Sequence, residues 1–182
     1  MASNTLSRSL HDLGLSAWFG GSLANAVALN PAAEAAKDPK SAGAVVNAGW
    51  DRWTPVNAVA IGAHVAGAAM NLVGNKERVK GQKGVGTMSL VKTGLTVAAL
   101  GITGFSRVLG SKVSAHEDVP VQDGTTPLPS TPDSVTSAQK QLKVLQWAIP
   151  LVTGALIVVS ALAGEQQRPT NAVKGVLDRI TG

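Results

Sequence analysis

Residues 13–29, 56–73, 88–109 and 144–163 form four apolar runs, and charged residues fall between them, with Lys92 and Arg107 as the exceptions. Each run is close to the roughly 20 residues that cross about 30 Å of hydrocarbon as a helix. A soluble helix of that length carries a polar stripe every three or four residues. The pattern therefore predicts an all-α integral membrane protein, a four-helix bundle in a single membrane domain spanning residues 1–182. It places the chain as a multi-pass protein of the plasma (cell inner) membrane, with the lipid bilayer as its first partner. The alternative is a soluble, buried helical protein.

Composition agrees with that solvent argument. Charged residues make up 15% of the chain, against about 25% in soluble domains. Cysteine is absent, which excludes disulfides, thiolate metal sites and Cys nucleophiles. The first two runs are rich in Gly and Ala and are expected to pack inside the bundle. An alternative for the first run is a cleaved secretory leader, with Arg8 before it and Ala26-Val27-Ala28 at its end. Asn25 interrupts that run, and a retained first span is expected.

Lys and Arg placement sets the orientation. The short link 74–87 holds Lys76, Arg78, Lys80 and Lys83 against one acid, Glu77, and is expected to be cytoplasmic. Both termini then share its side, and links 30–55 and 110–143 lie outside. Trp50, Trp53 and Trp147, with Arg52, form the expected aromatic and basic belt at the headgroups. Thr54 and Pro55 have the chemistry of a helix start, a cap followed by proline in the first turn. Residues 114–137 hold four prolines among Ser, Thr and Asp, and read as a polar extended or disordered loop. Val173, Val176, Leu177 and Ile180 sit at helical spacing and predict a short amphipathic helix on the cytoplasmic face; a frayed polar tail is the plainer alternative.

Within lipid, close backbone approach and polar contacts select helix partners. Small residues at Gly62/Ala66, Gly67/Asn71 and Gly94/Ala98, with Gly20, Gly21, Gly101, Gly104 and Gly154, predict close crossings. Ionisable groups at membrane depth mark candidate sites. His11, Asp12, Asn71 and Lys92 fall at one cytoplasmic level, so a polar cluster is expected in which Asp12 offsets Lys92. The alternative is that Lys92 reaches the surface along its apolar stem. His64 lies mid-helix, as a haem or metal ligand, a proton carrier, or a neutral core histidine. Counted from the span boundaries, His11 and His64 stand several turns apart, too far for joint ligation. Arg107 pairs with Asp51 or reaches headgroups, and His116 is solvated.

No P-loop, H-E-x-x-H or G-x-S-x-G is present, and no catalytic set or metal-ligand group is expected. The net charge of +5 is spread without aromatic interleaving, which excludes a nucleic-acid footprint.

The segment Leu10-His-Asp-Leu-Gly-Leu-Ser-Ala-Trp-Phe-Gly-Gly21 resembles the first helix of small four-helix membrane proteins, including copper-resistance-protein-D-like domains and HemJ-type membrane protoporphyrinogen oxidases. Leu90-Val-Lys92-Thr is similar to the third-helix Lys region of the oxidases. That resemblance implies His11 and Lys92 as haem-associated residues. The chain also resembles uncharacterised four-helix membrane proteins of high-GC Gram-positive bacteria. The function expected from these readings is an accessory or assembly subunit of a larger membrane complex, without enzymatic activity, partnered by other membrane subunits. A haem-binding or redox protein using His11, His64 and Lys92 is the alternative, and a small transporter the third.

Overall fold

The structure, a computed structural model, describes residues 4–76, 84–115 and 119–165. Among these it is helical without strands; one isolated bridge joins Val121 and Pro127. The segment 173–180, expected to be amphipathic, lies outside the described residues.

Four long helices form the architecture: α1 (Thr5–Ala24), α2 (Pro39–Gly74), α3 (Val85–Ser114) and α4 (Asp133–Glu165). Three of them, α2, α3 and α4, are long and apolar enough to cross a membrane. Leu90, Val97, Leu151 and Val158 are all more than half exposed along them, as lipid-facing residues are. α1 differs. Ser7, His11, Gly14, Leu15, Trp18 and Ser22 are buried, a single face repeating every three or four residues. It is the inward helix anticipated from its Gly and Ala content.

Three features of the links differ from expectation. α2 starts at Pro39 rather than near 56, and Pro55 lies inside it. The true start has the same local chemistry one segment earlier. Asp38 Oδ1 accepts from the backbone N–H of Lys40 and Ser41, both at 3.0 Å, and Pro39 occupies the first turn. The Ser41 hydroxyl donates to Asp38 Oδ2 at 2.6 Å; it and the backbone donors hold the Asp38 carboxyl below its usual range. Likewise α4 begins at Asp133 and carries Pro150 internally. Link 30–55, where Pro31 to Ala48 reads from sequence as short helical pieces, is therefore largely helix, as is much of link 110–143. At its 36 residues, α2 is about 54 Å long, well beyond the hydrocarbon thickness. The third correction concerns the proline-rich stretch, whose residues 119–132 form an ordered cap. Val121 packs with Ala33, Ala42 and Val46, Val121 N–H donates to Pro39 O at 3.2 Å, and the Thr131 hydroxyl donates to Pro120 O at 2.7 Å.

α1 ends in a π-helical turn, Asn25–Leu29, then one α-helical turn, Asn30–Ala32, and a 3-10 turn, Ala33–Ala35. Asn25 donates its side-chain amide to Gly21 O at 2.8 Å, competing with the backbone donor for that carbonyl where the register changes. Asn30, buried, donates to Gln146 Oε1 at 2.8 Å and accepts from Trp50 Nε1 at 3.2 Å. One amide thus ties the turn to both α2 and α4.

The helices pack as two pairs, α1 with α2 and α3 with α4, joined by α1 against α4; α2 and α3 scarcely touch. Trp18, Ala99 and Ile149 make the mid-bundle core. The expected close crossings are realised selectively. A Cβ on Gly67 would meet the backbone of His11 and Ser7, and one on Gly14 the backbone of Ala60 and His64. Gly21 lies under the Trp53 ring, and Gly154 contacts Phe19. Gly20, Gly62, Gly94, Gly101 and Gly104 have open space instead.

Candidate functional site

The glycine-tight crossing of α1 and α2 brings His11 and His64 together. His11 and His64 are 2% and 0% exposed, with ring centroids 4.5 Å apart and planes tilted by 49°. This corrects the expected separation in depth. α1 begins at Thr5, well before the apolar run, and Gly74 at the end of α2 lies beside Asn4. Each histidine is then about two to three turns from that shared end.

Hydrogen bonding assigns the protons. His64 Nδ1 contacts the His11 carbonyl oxygen at 3.3 Å. A carbonyl only accepts, so Nδ1 carries the hydrogen and Nε2 accepts from the Thr96 hydroxyl at 3.3 Å. His11 Nδ1 meets Asp12 Oδ1 at 2.8 Å, so it also carries its hydrogen there. His11 Nε2 is buried without a partner. Trp18 stands edge-on to His64 at 6.1 Å and donates Nε1–H to Thr103 Oγ1 at 3.2 Å. The two imidazoles pack ring to ring with both His64 nitrogens engaged, so they do not fit opposite faces of one haem.

Two cavities occupy the seam between α2 and α3. The inner one, of about 350 Å³, is lined by His11, Asn71, Ser89, Lys92, Thr96 and apolar side chains. Three of the four residues expected to cluster therefore do so. Asn71 also accepts from the Ser7 hydroxyl at 2.8 Å. Asp12 attaches through His11, its side chain 70% exposed, and no ion pair joins it to Lys92 among the described residues. Lys92 is half-buried.

The outer cavity, of about 320 Å³, is lined by Trp50, Trp53, Asn57, Thr103, Ser106 and Arg107, among others. Trp53 Nε1, Asn57 Oδ1 and Ser106 Oγ are buried there without partners. Trp50 and Trp53 thus face the bundle interior, whereas Trp147 is 51% exposed and Arg52 is exposed. Arg107 stands 3.9 Å from Asp51. Sequence reasoning missed Asn30, Ser106 and Gln146 as polar positions of consequence; a lone amide or hydroxyl inside or at the edge of an apolar run was the available signal. His116 lies outside the described residues. Among the described residues no group of three or more His, Cys, Asp or Glu side chains is placed to hold a metal ion.

Comparison with protein-family models, curated proteins and solved structures finds no match for this chain.

Proposed function

We propose that this protein is an integral membrane accessory or assembly subunit, crossing the membrane four times with both ends cytoplasmic, and that a helix of another membrane protein lies along the outer face of α3. The observation that carries this reading is the contrast between its glycines. Gly14 and Gly67 sit in backbone contact at a helix crossing, whereas Gly94 and Gly101 have nothing within 4 Å. Gly94, Ala98, Gly101, Phe105 and Val108 share one face of α3 by helical spacing, and only 6% of the apolar window of α3 is buried. Glycine in a helix interior is destabilising by roughly 0.5–1 kcal/mol relative to alanine. In lipid that cost is offset when a second backbone comes close.

Photo-crosslinking in the native membrane tests it. A photoreactive residue at position 94 or 101 is expected to trap one discrete heterologous membrane protein, and one at position 151 on α4 to trap none. Adducts of twice the chain mass, or identical adducts from all three positions, overturn the reading. The haem alternative is read from the same preparation: a Soret band lost in His11→Ala replaces the accessory reading.

A further inference from the structure

The inner cavity carries a chemical demand that the protein itself does not meet. His11 is 2% exposed, lines the chamber, and its Nε2 is buried without a partner. Because Asp12 takes the Nδ1 hydrogen at 2.8 Å, that Nε2 is a lone pair in need of a donor. Lys92 also lines the chamber and brings three donors and a positive charge, and it forms no ion pair among the described residues. His64 is already satisfied on both nitrogens, and Asn71 is engaged by Ser7. The remaining lining is largely aliphatic, including Val65, Leu72, Met88 and Val97. A volume of about 350 Å³ lies within the range of small-molecule sites, about 300–1,000 Å³.

We infer that this chamber binds an aliphatic carboxylic acid. The acid O–H bond breaks, its proton moves to His11 Nε2, and the carboxylate formed rests between the imidazolium and the Lys92 ammonium, with the chain along the apolar wall. Competing chemistries satisfy only part of the site. An amine donates to Nε2 but meets the charge of Lys92. An ester accepts from Lys92 but leaves Nε2 bare. A phosphodiester and a carboxylic acid are both ionised in neutral water, but desolvation raises a carboxyl group's pKa, so it enters apolar surroundings as the protonated acid, whereas a phosphodiester stays ionised and brings no proton for Nε2. The inference concerns the inner cavity alone and is independent of what covers α3.

The test is titration of the full chain in lipid nanodiscs with decanoic acid labelled with carbon-13 at the carboxyl group, followed by calorimetry and by the carboxyl resonance. Saturable binding of one acid per chain is expected, with the bound carboxyl ionised. Lys92→Met and His11→Phe are each expected to weaken it by about tenfold or more, and Asn57→Ala in the outer cavity to leave it unchanged. Lys92 is half-buried and stands on α3, outside the α1–α2 pair, so Lys92→Met remains informative if His11→Phe fails to fold. Absence of saturable binding overturns the inference. So does equal affinity for methyl decanoate, decanol or a short-chain phosphatidylglycerol, or wild-type affinity in Lys92→Met.

Discussion

The His64 ring sits 4.5 Å from the His11 ring and is bonded through Nδ1 to the His11 backbone carbonyl, so the imidazole of α2 is fastened to the backbone of α1. His64→Ala removes that bond, frees the Thr96 hydroxyl and opens a void beside Trp18. The expected loss is about 1–3 kcal/mol for the unmade hydrogen bonds, with a further penalty for the void. Thermal unfolding of the detergent-solubilised protein measures it; an unchanged midpoint would show that the contact is incidental.

Glycine positions separate by surroundings. Gly67→Leu drives a side chain into the backbone of His11 and Ser7 and is expected to abolish the α1–α2 pairing, seen as loss of the folded species on size exclusion. Gly62→Ala meets nothing and is expected to be neutral or to stabilise by up to about 1 kcal/mol.

Asn30→Ala cuts the link to both Trp50 and Gln146. A cost of about 1–3 kcal/mol is expected from the partners left unsatisfied, together with a change in tryptophan emission. Emission identical to wild type would remove Asn30 as the tie between the turn and α2.

The Asp38 cap predicts an acid limb. Its folded carboxyl titrates below the usual Asp value, chiefly because the Ser41 hydroxyl donates to it. The stabilisation is therefore complete above the unfolded value, about pH 3.9, and is lost as pH falls through the lower folded value. Asp38→Ala is expected to lower the unfolding midpoint at neutral pH and to flatten this limb. A limb of wild-type steepness in the variant would place its origin elsewhere.

Because the chain has no cysteine, an introduced thiol is its sole reporter. Lys37→Cys and Lys76→Cys, at the two ends of α2, are expected to react with a membrane-impermeant maleimide from opposite sides of the bilayer. Labelling of both from one side would remove the transmembrane assignment of α2.

Much of the architecture was legible because solvent dictates it: runs of about 20 largely apolar residues at 56–73, 88–109 and 144–163 lie inside the three membrane-length helices. Their true ends were not. Thr54-Pro55 and Asp38-Pro39 have the same capping chemistry, and only the packing of Ala42 and Val46 under Val121 selects the earlier start. The cluster of His11, Asn71 and Lys92 was readable from their common level. The contact of His11 with His64 was not, because depth was counted from the apolar run and the helix begins earlier, at Thr5. Which way Trp50 and Trp53 point depends on the Asn30 amide and the bare surface of Gly21, contacts that no local pattern encodes.

The open seam has a mechanical consequence. With α1 against α4 acting as the spine of a book, its two covers are the helix pairs, and α2 and α3 are the free edges. Leu100 borders both chambers, so any spreading of those edges changes the two volumes together.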